Sequence, residues 1–222
     1  MSSKLLSTCR PSPTLWVVLL LATAVIAGSF LLDAPLQRHL LEAHQGHWSH
    51  DPKVSAASRY GDWPELMLIG ALGYFVARRA RNVRWQRIFL SAMIASTLAG
   101  MTVNLSRLTT GRTRPRAAAV QGWYGLQNDG KWLVGQADFN SFPSGHTATA
   151  VGFAGVIFFA SPAWGIPALI VALAIATSRI LLGAHHPSDV VTAAVVSLAI
   201  AWLVWEFLGR CGSIDAAVRQ KD

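Results

Sequence analysis

Six apolar stretches, roughly 14–32, 64–78, 88–106, 146–161, 164–183 and 189–207, punctuate the chain at intervals that leave little room for a soluble core. At about 15 to 20 residues each they would extend about 22 to 30 Å as helix, the thickness of a hydrocarbon layer. Lipid cannot satisfy open backbone groups, and none of the stretches shows the alternating period of a barrel strand, so helix is the element they must form. The expected architecture is all-α: a polytopic membrane helical bundle with about six transmembrane helices, built as one integral-membrane domain over 1–222 with tails at 1–13 and 208–222.

Composition agrees. Of 222 residues, 52% are hydrophobic and 14% charged, and the mean hydropathy of +0.38 lies outside the soluble balance. The net charge of +8 does not indicate nucleic acid, because the basic residues fall between apolar runs and not along one polar face. Cys9 and Cys211 stand near opposite termini and offer neither a disulfide nor a metal spacing. Lys4 and Arg10 precede the first apolar run in the manner of a leader, yet that run is about 19 residues long and residues 24–29 make a weak cleavage site. It is read as an uncleaved first span.

Short connections set the orientation. Lys4 and Arg10, the group Arg78, Arg79, Arg81, Arg84 and Arg87, and Arg210, Arg219 and Lys221 all fall on one side if the spans alternate, which places both termini in the cytoplasm of a bacterial inner membrane. Arg107, Arg112, Arg114, Arg116 and Arg179 fall on the other side, against the topological rule, so they call for a functional reason. The outer loops 33–63 and 107–145 are polar and turn-rich, with Trp48, Trp63, Trp123 and Trp132 placed for the interface.

Three segments carry the chemistry. Arg107, Arg112, Arg114 and Arg116 follow the third span, and their planar forks suit phosphate oxygens, although a basic cluster beside a membrane can also serve as a headgroup anchor. Phe142-Pro143-Ser144-Gly145-His146 opens the fourth span. Pro143 fits a first helical turn, Ser144 and Gly145 would expose unpaired N–H groups to an anion, and His146 could give a proton to a leaving oxygen. The plainer alternative is a helix-start turn. Ser178-Arg179 closes the fifth span, and His185 and Asp189 flank the turn into the sixth. A carboxylate on one imidazole N–H would leave the other nitrogen basic and directed, as a nucleophile needs; the same pair could also do no more than stabilise a turn.

Arg107-x6-Arg114-Pro115, Pro143-Ser144-Gly145-His146 and Ser178-Arg179-x5-His185-x3-Asp189 resemble, in order and internal spacing, the three signature motifs of the type 2 phosphatidic acid phosphatase superfamily. The likeness covers residues 107–189 directly, and the six-span layout extends it over most of the chain. It implies His185 as a nucleophile that forms a phosphohistidine, Asp189 as its orienting partner and His146 as general acid. It also implies a phosphate cradle of Arg107, Arg114, Arg179, Ser144 and Gly145. One departure is Arg107, where the family pattern usually has Lys: charge is kept, but a fork replaces a point charge.

The implied activity is a lipid phosphatase on the outer, periplasmic side, acting on a phosphate or diphosphate ester such as phosphatidic acid, phosphatidylglycerol phosphate, undecaprenyl diphosphate or a lipid A phosphate. Its partners are the phosphorylated lipid and surrounding membrane lipids, with no nucleic acid. Arg112, Arg116 and the 117–142 loop are candidates for contacting a bulky headgroup. No metal or cofactor is expected, since guanidiniums and N–H groups can supply the positive charge. His44, His47 and His50 repeat at intervals of three but lack a Cys or a fixed carboxylate spacing, and are read as a loop. His39 and His186 are read as surface or turn. Lipid-to-lipid phosphoryl transfer would use the same residues. An intramembrane serine protease is disfavoured because Ser144 lacks a Gly-x-Ser-Gly context, a vanadium haloperoxidase by hydropathy, and a non-enzymatic lipid transporter or scaffold predicts no dependence on a nucleophile.

Overall fold

The computed structural model describes residues 13–43, 48–49 and 51–219, and side chains as far as residue 208. Cys9, His44, His47 and His50, and the side chain of Cys211, lie outside these described residues.

Every expected span is a helix: α1 (Pro13–Phe30), α4 (Trp63–Arg79), α5 (Val83–Thr110), α6 (Gly145–Ala160), α7 (Pro162–Leu181) and α8 (Pro187–Arg219). α1, α5, α7 and the part of α8 up to Leu208 are long and apolar enough to cross a membrane, whereas α4 has 17 residues and α6 has 16. The chain is an integral membrane protein of helical architecture. Its helices end where local chemistry stops them. Asn82 caps α5 by accepting the N–H of Trp85 at 3.2 Å. Gly111 ends the same helix at φ +56°, and a Cβ there would lie 2.1 Å from the Gly125 carbonyl oxygen, so only glycine permits this exit.

The polar loops carry more order than their composition announces. Residues 33–63 contain α2 (Asp33–Ala43) and α3 (Pro52–Arg59), the latter capped by Asp51 Oδ1, which accepts the Lys53 N–H at 2.7 Å. Residues 107–145 hold a two-stranded antiparallel hairpin, β1 (Gln127–Asn128) with β2 (Lys131–Trp132). These pieces are too short to show in a periodicity.

α6 is the centre of the bundle. Residues 147–157 are buried throughout, packed against α5, α7 and α8. Small side chains make this possible: Ala92, Ala95, Ala99, Ala148 and Ala154 allow the helix backbones to approach without a polar core. α1 lies at the periphery against α8 with most of its apolar surface exposed, as a lipid-facing helix must. The turn joining α4 to α5, with Arg81, and the first turn of α5 meet the end of α6, where Arg84 Nη2 donates to the Ala160 carbonyl at 2.9 Å. At the opposite end of the bundle the C-termini of α5 and α7 meet the N-termini of α6 and α8, and all three sequence segments converge there.

Candidate active site

His185 occupies the turn between α7 and α8, buried to 1% exposure. That turn depends on Gly183 at φ +61°, against which the Trp48 indole packs. His185 Nδ1 lies 2.7 Å from the Ser141 carbonyl. A carbonyl only accepts, so the proton sits on Nδ1 and Nε2 keeps its lone pair. Nε2 is 3.5 Å from Nη2 of Arg107, whose Nη1 donates to Asn104 Oδ1 at 3.0 Å. Burial pushes the His185 imidazole down to about 3; Arg107 and Arg179 act in the same direction, against the opposing pull of Asp189. The ring is therefore neutral, with its basic nitrogen facing a cation.

In place of the expected Asp189–His185 hydrogen bond, the carboxylate stands 3.6 Å from Nδ1 and the Ser141 carbonyl takes the N–H. Asp189 instead builds the surrounding frame. Oδ2 accepts from Ser141 Oγ at 2.5 Å and from the His186 N–H at 2.8 Å, while Oδ1 takes Nη1 of Arg112. Asp189 thus holds Ser141, and Ser141 holds the imidazole.

Arg112 is not free for a headgroup, contrary to expectation. Its Nη1 also donates to Ser188 Oγ at 2.7 Å and its Nη2 to Asp33 Oδ2 at 2.6 Å, and its guanidinium lies 4.6 Å from the Trp123 ring centroid. Asp33, at the start of α2, further accepts the Ser188 N–H at 3.0 Å and its hydroxyl at 2.6 Å. Asp33, Asn104 and Ser141 escaped the sequence reading. Each sits in a segment with no motif, and their proximity to the site is purely tertiary.

The remaining guanidiniums differ from Arg112. Among the described residues, Arg107, Arg114 and Arg179 have no carboxylate within ion-pair distance, and each has a buried Nε without a partner. Arg179 Nη1 donates to Ser58 Oγ at 2.5 Å. Burial, then the neighbouring Arg116, lowers the Arg114 pKa. Three cations without a carboxylate in ion-pair contact among the described residues are chemically suited to a multiply charged anion.

The start of α6 adds to it. Ser144 is its N-cap, but its N–H donates to the Asp189 carbonyl at 3.1 Å and its hydroxyl accepts from Thr147 at 2.9 Å, so the expected unpaired N–H is not at this position. The first-turn N–H groups of Gly145, His146 and Thr147 have no intrahelical acceptor and supply that role. A Cβ on Gly145 would stand 3.1 Å from Arg107 Nη1, so glycine lets the cradle close on the helix terminus. His146 Nε2 lies 2.6 Å from Asp62 Oδ1. His186, expected on a surface or turn, is buried, with Nε2–H donating to the Thr113 carbonyl at 3.2 Å.

All three segments therefore share one pocket. Ser144 is fully buried with its hydroxyl engaged by Thr147, which gives no support to a serine nucleophile.

Comparison with known proteins identifies the family and the fold. The lipid A 1-phosphatase of Rhizobium johnstonii is 26% identical over 210 residues, covering 90% of this chain and 84% of that protein. Two solved structures share the fold. The transmembrane PAP2 type phosphatidylglycerolphosphate phosphatase from Bacillus subtilis superposes with a TM-score of 0.53 at 17% identity, over 87% of this chain and 95% of its own. Aquifex aeolicus LpxE gives a TM-score of 0.53 at 19% identity over 79% and 95%. Residues 70–213, which hold every motif residue of the pocket, match the sequence description of the PAP2 superfamily, and the chain belongs to that family.

Proposed function

We propose that this PAP2-superfamily protein is a phosphatase of membrane lipids, with His185 as nucleophile, and that its substrate is a glycolipid 1-phosphate of the lipid A type. The carrying observation is the fixed tautomer of His185, whose unprotonated Nε2 lies 3.5 Å from Nη2 of Arg107, one of three guanidiniums with no carboxylate in ion-pair contact among the described residues. The substrate class rests on the named activity of the Rhizobium johnstonii relative, which aligns over most of both chains.

Phosphate oxygens bind Arg107, Arg114, Arg179 and the N–H groups at the start of α6, which also stabilise the charge on the equatorial oxygens as the transfer proceeds. His185 Nε2 attacks phosphorus, the bond to the leaving oxygen breaks, and that oxygen takes a proton from His146. Neutral His146 then removes a proton from water, whose oxygen attacks the phosphohistidine. The N–P bond breaks, phosphate leaves and both imidazoles return to their starting states.

The basic turn around Arg81 and Arg84 lies at the end of the bundle opposite the pocket, which supports termini in the cytoplasm and a pocket opening to the periplasm.

The test is phosphate release by purified protein, with chelator present, from a lipid A 1-phosphate, phosphatidic acid, phosphatidylglycerol phosphate and undecaprenyl diphosphate. Preference for the first and loss of activity in His185→Ala are expected. Wild-type rates in His185→Ala would end the nucleophile assignment; preference for another lipid would replace the substrate class; and phosphate recovered on a second lipid would make the protein a transferase.

A further inference from the structure

The end of α3 and the turn into α4 lie far from the motifs in sequence, yet they bring three groups against the residues of the site. Ser58 receives Arg179, the Gly61 carbonyl accepts Thr149 Oγ1 of α6 at 2.7 Å, and Asp62 reaches His146. Gly61 is tightly enclosed: a Cβ there would stand 2.3 Å from Ile175 Cγ2, so the turn is pressed onto the bundle. Asp62 is also the N-cap residue of α4, but its side chain makes no capping hydrogen bond. An Asp at this position ordinarily turns its carboxylate back to the helix N–H groups. Here Oδ1 lies 2.6 Å from His146 Nε2 instead.

We infer that Asp62 is the positioning residue of the proton donor: it holds the Nε2–H of His146, fixes the ring, and stabilises the imidazolium so that Nδ1 carries the proton delivered to the leaving oxygen. This rests on the assignment of His146 as general acid. The need for it follows from the charges that face His146. Arg179 from α7, Arg107 from α5 and Arg114 from the following loop are the cations that bear on it electrostatically. All three bind phosphate well and all three oppose a protonated imidazole. Asp62 supplies the compensating carboxylate at the edge of the pocket, where it is 44% exposed and 2.6 Å from the ring. The two histidines thus have different supports. A backbone carbonyl fixes the tautomer of His185 for attack, and a carboxylate holds the Nε2–H of His146.

The proton balance makes this role measurable. A lipid alkoxide or sugar oxygen must be protonated as it leaves, whereas p-nitrophenolate leaves without help, so the two substrates separate proton delivery from phosphate binding. Asp62→Asn, nearly isosteric, should lower kcat on the lipid phosphate at least about tenfold, a part of the 10²–10⁴ typical of general acid catalysis, with KM little changed. Turnover of p-nitrophenyl phosphate, which needs His146 only to take the proton from water in the second step, should fall less than turnover of the lipid phosphate. The basic limb of the lipid pH profile should move to lower pH, because His146 then loses its proton more readily, and Asp62→Glu should restore part of the rate. In a His146→Ala background, Asp62→Asn should have no further effect.

Equal loss on both substrates, or no loss on either, would overturn the inference, as would an additive effect in the His146→Ala background. Thermal denaturation of each variant identifies a folding defect, and the double-variant comparison decides the matter if Asp62→Asn is unstable. A wild-type protein that hydrolyses neither substrate would refute the proposed phosphatase function itself, a result distinct from these.

Discussion

Arg112 and Asp33 are 79 residues apart in the chain, and their side chains meet at 2.6 Å beside Ser188 at the start of α8. With Asp189 on the other arm of the fork, the guanidinium ties the start of α2 to the start of α8. Arg112 and Asp189 have side-chain exposures of 7% and 0%, so little solvent screens their charges. Arg112→Met would leave two carboxylates near one another without their cation. Breaking such a buried pair costs about 3–5 kcal/mol. The expected outcome is a clear fall in the thermal midpoint in detergent together with lost turnover, and an unchanged midpoint would show that the network does not support the fold.

In the proposed function, Arg107 and Arg179 sit on the phosphate itself. Arg107→Ala or Arg179→Ala removes a preorganised donor worth about 2.7–4 kcal/mol at the transition state, so kcat should fall roughly a hundredfold or more. Arg116→Ala, which is exposed and forms no ion pair among the described residues, should change kcat far less. Steady-state phosphate release checks both, and equal effects at positions 116 and 179 would argue against a defined cradle.

Gly145 tests the close approach. Adding a methyl in Gly145→Ala brings carbon within 3.1 Å of Arg107 Nη1, which displaces the guanidinium or narrows the anion site. Misplacing a binding group by about 1 Å can cost about a hundredfold in rate, and a loss of about ten- to a hundredfold is expected here. The thermal midpoint should change little, because alanine suits the first turn of α6. Full activity in this variant would mean that phosphate binds elsewhere.

Acid should destabilise the protein. Burial lowers the His185 pKa from its ordinary 6.5 to about 3, and burial together with Arg112 lowers that of His186. Between these limits the unfolded chain binds a proton that the native His185 refuses, so stability is fully present above about pH 6.5 and declines as pH falls below it. Melting followed from about pH 7 to about pH 5 should show a falling midpoint, and His185→Gln, which has no proton to gain, should show a shallower slope. Identical slopes would indicate that the native imidazole is not held neutral.

Much of the fold was legible because membrane insertion is a local demand: a run of apolar residues must be helix wherever its neighbours lie. The six spans appear accordingly, although α5 and α8 run past the expected ends at 106 and 207, since polar residues continue a helix once the apolar core has been crossed. The short α2 and α3 gave no comparable signal. The cap of α3 and the docking of both helices on the bundle, and not an apolar run, order them.

For the pocket, residue types and spacing were enough to nominate His146, His185, Asp189 and the arginines, because attack, proton transfer and anion binding each require particular groups at the ends of particular helices. Which arginine stays free for an anion was a different matter. Arg112 and Arg114 are two residues apart and chemically alike, yet one is neutralised by Asp33 and Asp189 and the other has no carboxylate within ion-pair distance among the described residues. The tautomer of His185 likewise depends on the Ser141 carbonyl, and the partner of His146 on Asp62, groups from elements that carry no motif. Sequence determines which chemistry each position can offer and which segments must enter the membrane. Only packing decides which charges meet, because electrostatic and hydrogen-bond partners are set by distances of a few ångströms between residues far apart in the chain.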